Sequence, residues 1–430
     1  MYLASVQKFV KENIIVQLFI WSYAVFIFTS WLVLQLPPCK KIAISNIDTL
    51  FIAASAISTT GLATVDIETT FSFIGQLAIL LMIQLGGIAH LVFASFLILN
   101  FEEKKNSFQL KISPHPLSLS RGFTIKELLK QVITYTVLCE LIGGIMLYLF
   151  FKMDGVEDSF WHAVFHSVSA FCTAGFSPFP SNLEEYVGHF GINITISFFS
   201  ILGAFGFFLW SDLFKRMLGR GESPKVLRRI FQSFVTTVIL FGTVLFLFKT
   251  KQIMPAFFQA VSAITTVGFN TIEMRSAFPS TLILLIFFML LGASLTLTAT
   301  CKSLSIMAIK RISLSFFSQK KTVRVRGQRA FLKRVQIAFS PLNKYLIVLS
   351  IVVLFLKITE KQPFLFLLFE GASALCTVGF NTGVTAELSF FGKGFIIFLM
   401  LTGRAGILLF SYAVFAKKFL LEPKRGLREV

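Results

Sequence analysis

Four short stretches of this chain place oxygen-bearing groups at the same spacing. The pattern is Phe, three residues, Ser-Ala, two residues, Thr, one residue, Gly, and it begins at Phe51, Phe165, Phe258 and Phe369. The copies end in Thr59-Thr60-Gly61, Thr173-Ala174-Gly175, Thr266-Val267-Gly268 and Thr377-Val378-Gly379. Each offers a hydroxyl and successive backbone carbonyls, which can coordinate a cation that has shed its water when several loops face one axis. Glycine adopts backbone angles that other residues avoid and lets neighbouring backbone come close. None of these three-residue ends contains a carboxylate or a basic residue, so the ligands suit a monovalent cation better than a divalent cation or an anion. One Thr-x-Gly is ordinary turn chemistry; five fixed positions repeated four times are not. These twelve residues are the predicted ion-binding filter. Ser55, Ser169, Ser262 and Ser373 read as packing or loop-support groups, and the four leading Phe as wedges.

The filter stretches must be positioned by what flanks them, and the flanks are apolar. The chain has 430 residues, 55% of them hydrophobic, and a mean hydropathy of +0.78. The apolar residues fall in runs of about twenty, the length that crosses a bilayer. The first run, 14–36, is too long for the apolar core of a cleaved signal and reads as a span. The repeating unit is span, short helix with filter loop, span. Unit one uses 14–36, 48–65 and 71–100; unit two 128–151, 158–176 and 190–214; unit three 230–248, 255–269 and 278–309; unit four 342–356, 364–380 and 390–415. The chain therefore divides into repeats 1–100, 101–217, 218–310 and 311–430, the last opening on a basic linker. The short helices cannot span, and backbone at that depth must be buried in protein or line water. Four re-entrant loops at the centre of a helix ring meet that demand. The predicted fold is an all-α integral membrane protein with pseudo-fourfold symmetry about a central pore. Each short helix ends toward that pore, where its C-terminal dipole favours a cation.

Net charge is +19, which by itself would suit a nucleic-acid partner. The basic residues instead crowd the linkers 102–126, 212–229 and 310–344 and the C-terminus, while the intervening loops are acidic or balanced. That asymmetry marks cytoplasmic loops, so both termini are predicted to be cytoplasmic, the filter loops enter from outside, lipid is the partner and nucleic acid is not. His90, His115, His162, His166 and His189 lack metal-ligand spacing, and no phosphate loop or catalytic triad order is present, so the expectation is no enzyme. Cys39, Cys139, Cys172, Cys301 and Cys376 read as free thiols. No resident cofactor or metal is expected beyond the transported ion.

The four units, the one filter glycine in each, and the stretches TTVGFNT (265–271) and CTVGFNTG (376–383) resemble the Trk/Ktr/HKT superfamily of potassium transporters, most closely the bacterial TrkH/KtrB-type translocation subunits. Further matching pieces are QLGGIAH (84–90), LGAFGF (202–207) and GRAGILLF (403–410). In these second spans Gly87, Gly203, Gly292 and Gly403 follow the filter glycines at similar intervals and suggest close helix approach. The resemblance implies potassium uptake in a bacterial inner membrane. Because Gly61 stands where sodium-transporting relatives carry Ser, potassium is the expected ion and sodium the alternative. A Na+- or H+-coupled symporter of the same fold is the alternative mechanism, with Glu140 and Glu370 as candidate coupling acids. The resemblance further implies a homodimer and a cytoplasmic nucleotide-binding (RCK-type) regulatory ring. It places Arg404 below the filter as an electrostatic barrier; the other readings of Arg404 are snorkelling or a salt bridge with Glu370. Relatives interrupt the second span of unit three with a Gly/Ser-rich gate. Here 292–302, from Gly292 to Lys302, has one Gly and several hydroxyl residues, so Gly292 and Lys302 are gate candidates against a continuous helix.

Overall fold

The computed structural model describes residues 21–103, 125–217, 252–296 and 345–405, together with 236, 238–240, 242 and 243. Helices dominate, and among the described residues the only β pairing is an isolated bridge between Lys40 and Phe71. In chain order the main helices are α1 (Trp21–Gln35), α2 (Asn46–Ile57), α3 (Phe73–Glu103), α4 (Ile125–Met153), α5 (Ser159–Phe171), α6 (Phe190–Met217), α7 (Ile253–Thr265) and α8 (Pro279–Thr296). They are followed by α9 (Tyr345–Thr359), α10 (Phe364–Leu375) and α11 (Phe390–Ala405). The predicted spans 71–100, 128–151 and 190–214 thus lie within helices that run up to three residues further at either end or begin two residues later. The span 230–248, the gate candidate Lys302 and the basic linkers lie largely or wholly outside the described residues.

Within α4, Leu129–Met153 is 25 residues long and apolar enough to cross a membrane. At about 1.5 Å per residue it exceeds the roughly 30 Å hydrocarbon thickness of a bilayer. Its exposed side chains include Ile133, Val137, Leu141, Ile145 and Leu149, an apolar stripe that suits lipid contact. The short helices are of another kind. In α2, Phe51 to Ile57 are all buried, and the leading Phe51, Phe165 and Phe369 are fully buried with Phe258 nearly so. A helix of three turns buried all round sits in protein, so the leading Phe residues do wedge the short helices into the core.

The helices pack in a cyclic order. α3, α6, α8 and α11 each pack on the short helix that precedes them, namely α2, α5, α7 and α10. Each also packs on the short helix of the following unit: α3 on α5, α6 on α7, α8 on α10, and α11 back on α2. That last contact brings the end of the described chain against its beginning. An ion pair reinforces it: Lys393 Nζ on α11 donates to Asp48 Oδ1 on α2 at 2.6 Å, with both side chains mostly buried. Ser45 caps α2 through the Asp48 amide, so the carboxylate sits in the first helical turn, where the dipole favours it.

Candidate ion pathway

Each short helix stops one or two residues before its Thr. Thr59, Thr173, Thr266 and Thr377 have φ of 48°, 52°, 59° and 50°, and Gly61, Gly175, Gly268 and Gly379 have φ of 92°, 65°, 82° and 101°. The residue between them is in neither list, so handedness alternates along each stretch. A left-handed glycine is cheap, but a left-handed β-branched Thr is an outlier that costs about 1–3 kcal/mol. Four Thr in the same strained state point to a shared geometric demand. The spacing alone identified the positions and missed this conformation.

The amides of each stretch turn back on the helix that precedes it. Thr60, Ala174, Val267 and Val378 donate to the carbonyls of Ser55, Ser169, Ser262 and Ser373 at 2.9, 2.8, 3.1 and 2.9 Å. Among the described residues, eleven of the twelve predicted filter residues have carbonyls that accept no hydrogen bond; the exception is Gly175, whose oxygen is 3.4 Å from Asn182 Nδ2. The four stretches meet. A β-carbon on Gly61 would overlap the Ala174 carbonyl, one on Gly175 that of Val267, one on Gly268 that of Val378, and one on Gly379 that of Thr60. Every filter glycine therefore abuts the carbonyl that precedes the next filter glycine, and the fourth abuts the first. A side chain at any of the four would part the loops.

The serines support the loops, but not identically. Ser55 Oγ accepts from the Gly61 amide at 3.1 Å and Ser373 Oγ from the Gly379 amide at 3.0 Å. Ser262 Oγ donates instead to the Phe269 carbonyl at 2.7 Å. Ser169 Oγ is buried without a partner among the described residues. A second support comes from the residue after each leading Phe. Glu370, fully buried, accepts from Thr382 N and Oγ1 at 2.8 and 2.9 Å and from Thr385 Oγ1 at 2.5 Å. His166 Nε2 pairs with Ser177 Oγ at 2.9 Å, and Gln259 Nε2 lies 3.5 Å from Thr271 Oγ1. Unit one has Ile52 there and no such tie. These polar side chains in otherwise apolar helices were the available signal, and the repeat pattern passed over them because their types differ.

The second-span glycines meet the C-terminal carbonyls of the short helices. β-Carbons on Gly203, Gly292 and Gly403 would overlap the carbonyls of Phe171, Ile264 and Leu375. In unit one the equivalent is Gly86, which meets Ile57, and not Gly87, which faces Cys172 Sγ. The adjacent pair of glycines concealed which one shares the phase. Gly292 is thus a packing glycine in this arrangement, whatever the segment toward Lys302 does.

Arg404, 8% exposed, donates from Nη2 to the Gly86 carbonyl at 2.9 Å. It forms no bond with Glu370, whose oxygens serve its own loop, so the salt bridge considered from the sequence is absent. Arg404 lines a cavity of about 30 Å³ together with Cys172 and Thr173. On the other side of the filter an open cavity of about 230 Å³ is lined by Gly61, Gly175 and Gly379 and by Asp66, Glu184 and Glu273. Its one basic residue, Arg275, is paired with Glu387 at 2.9 Å. Burial and the neighbouring Glu273 push the Glu184 carboxyl above the usual range, against the pull of its hydrogen bond from Asn270. Asn182 and Asn270 also join loops two and three: the Asn270 amide donates to Asn182 Oδ1 at 3.3 Å and Leu183 N to the Asn270 carbonyl at 3.1 Å. Among the described residues no group of His, Cys, Asp and Glu is arranged to hold a resident metal.

Comparison with known proteins agrees with this geometry. The chain is 29% identical over 398 residues to the Ktr system potassium uptake protein B of Vibrio alginolyticus, covering 89% of this chain and 87% of that one. It is 31% identical over 399 residues to the Ktr system potassium uptake protein B of Bacillus subtilis, covering 89% of each. The fold matches the crystal structure of the potassium transporter TrkH from Vibrio parahaemolyticus with a TM-score of 0.68 at 19% identity, over 95% of this chain and 84% of that one. The family model described as TrkH, cation transport protein, matches residues 26–247 and 226–424. With nearly its whole length matched, the chain belongs to the TrkH family of cation transport proteins.

Proposed function

We propose that this chain is the membrane-embedded translocating subunit of a Ktr/Trk-type potassium uptake system, and that a dehydrated K+ passes through a filter of backbone carbonyls from Thr59–Gly61, Thr173–Gly175, Thr266–Gly268 and Thr377–Gly379. The observation that carries the reading is the closed circuit in which each filter glycine abuts the carbonyl before the next filter glycine. Four loops in that relation define a pseudo-fourfold axis, and their unbonded carbonyls are the oxygens a K+ needs in place of its hydration shell. The acidic mouth above the filter concentrates cations. Arg404 acts as an electrostatic barrier on the inner side. The reading includes cytoplasmic termini, a homodimer with one pore per subunit, and a nucleotide-binding ring on the basic cytoplasmic face. Both curated relatives are named as potassium uptake proteins, which supports potassium as the ion.

The test is complementation of a bacterium that lacks potassium uptake, with the chain expressed together with its regulatory partner and external potassium titrated. Growth at low potassium is expected; failure to grow at every level with protein present in the membrane would sink the reading. Gly61→Ser is expected to raise sodium permeation, because the added Cβ displaces the Ala174 carbonyl. Coupled symport is the second reading, and the partly buried Glu140 favours it, since Glu370 is occupied by its own loop. Reversal potentials in proteoliposomes under opposed sodium and potassium gradients separate the two.

A further inference from the structure

The small cavity beside Arg404 has a second intramembrane ionisable group, Glu140, behind one wall. Two of its lining groups are buried polar atoms with no partner among the described residues: Arg404 Nε, and Thr136 Oγ1 of α4, a fully buried residue. A cavity of about 30 Å³ has room for a water molecule, which needs roughly 10–15 Å³ of such space and two or more polar neighbours. Cys172 forms another wall. Its Sγ lies 3.5 Å from Gln84 Oε1 and 3.7 Å from Glu140 Oε1, and Gln84 Nε2 donates to Glu140 Oε2 at 3.0 Å. The Glu140 carbonyl accepts from Ser167 Oγ at 2.7 Å, which ties this turn of α4 to α5. Glu140 thus stands behind Cys172 as seen from the cavity, and Arg404 stands in front. Neither has an ion-pair partner at contact distance among the described residues. An isolated charge at membrane depth is costly, and charges there pair or face water.

We infer that Glu140 is the counter-charge of Arg404, linked to it through Cys172 and a water held by Arg404 Nε and Thr136 Oγ1, and that it sets the height of the barrier Arg404 offers to a cation leaving the filter. Glu140 is then a positioning and conductance-setting residue rather than an ion ligand. The inference rests on the proposed pore. It gives Glu140 a role that needs no proton or sodium coupling.

The test is a double-mutant cycle on rubidium uptake per unit of membrane protein, using E140Q, R404Q and the double variant in the full chain with its regulatory partner. Removing the counter-charge leaves the Arg404 charge unscreened, so E140Q is expected to lower flux roughly tenfold, the scale of one unit charge acting across a side chain and a water. In the R404Q background the same substitution is expected to change flux less than about twofold, since the interaction it removes is already gone. E140D, which keeps the charge, is expected to retain more flux than E140Q, and potassium/sodium discrimination is expected to stay constant across the set. An equal loss from E140Q in both backgrounds, or equal loss from E140D and E140Q, overturns the inference. If E140Q fails to accumulate, restored accumulation of the double variant supports the pairing, and no restoration overturns it. Absence of rubidium uptake by the unaltered chain would strike the proposed function instead, so the two failures are distinct.

Discussion

Replacing Ser373 with Ala isolates one support of the filter. Its Oγ accepts from the Gly379 amide at 3.0 Å, and both residues are buried. Alanine leaves that buried amide without a partner, a loss of about 2–3 kcal/mol at the upper end of the range for a buried unsatisfied donor. At about 1.4 kcal/mol per tenfold, the balance between the aligned loop and misaligned ones shifts by roughly 30- to 140-fold. Two equivalents in the same fold act as controls. Ser55 makes the matching bond to Gly61 at 3.1 Å, but Gly61 is only half-buried, so its freed amide can find water and S55A is expected to cost nearer 1 kcal/mol. Ser169 Oγ has no bond to lose, and S169A is expected to be close to neutral. The assay is the potassium/sodium permeability ratio from reversal potentials in proteoliposomes, with the melting temperature of the purified protein in potassium as a second reading. The expected order of damage is S373A, then S55A, then S169A. If S169A lowers the ratio as much as S373A, the damage arises from packing at the Ser-Ala step, and the hydrogen-bond argument is wrong.

Three further outcomes follow from other contacts. Glu370→Leu strands the Thr382 amide and two hydroxyls and is expected to abolish rubidium uptake, while Glu370→Gln, which keeps one acceptor oxygen, retains part of it; equal loss from both would show that size matters and the acceptors do not. Lys393→Met leaves Asp48 unpaired in a mostly buried position and is expected to cost about 3–5 kcal/mol, read as a lower melting temperature that D48N/K393M partly recovers. The Glu184 carboxyl has a folded-state pKa above its unfolded value, near 4.3 for a free Glu. Its proton therefore stabilises the loops fully below that unfolded value, and the contribution is lost as pH rises through the folded one. At the mouth the same proton removes a negative charge, so uptake at low potassium is expected to fall as pH drops from neutral toward the carboxylate range, and E184Q is expected to flatten that dependence.

The outline of the loop contacts was legible because they are backbone contacts: a glycine is needed where two loops touch, and nothing else fits. Four repeats made each Thr-x-Gly credible where one would not have been. What was not legible depends on phase or on residue types that vary among the units. Gly86 and Gly87 are neighbours in sequence, and only the rotation of α3 against α2 selects Gly86. The loop ties at His166, Gln259 and Glu370 are chemically unlike, so a search for repeated identity passes over them. The partner of Arg404 is a backbone carbonyl, which every residue owns and no motif marks. The left-handed Thr ran against propensity, since a β-branched residue is a poor candidate for that conformation until the geometry of the four loops requires it.

The contact of α11 with α2 has a consequence for how the molecule is made. The Lys393–Asp48 pair joins positions 345 residues apart and the Arg404–Gly86 bond positions 318 apart, and with the Gly379–Thr60 approach they join the last unit to the first. The contacts among the first three units need no residue of the fourth, while the circle stays open until the last unit arrives. The ring of loops is incomplete until residues 379–404 dock onto residues 48–86. Long-range closure is the contact of greatest chain-entropy cost in such an assembly, and it is also the step that completes the proposed pore.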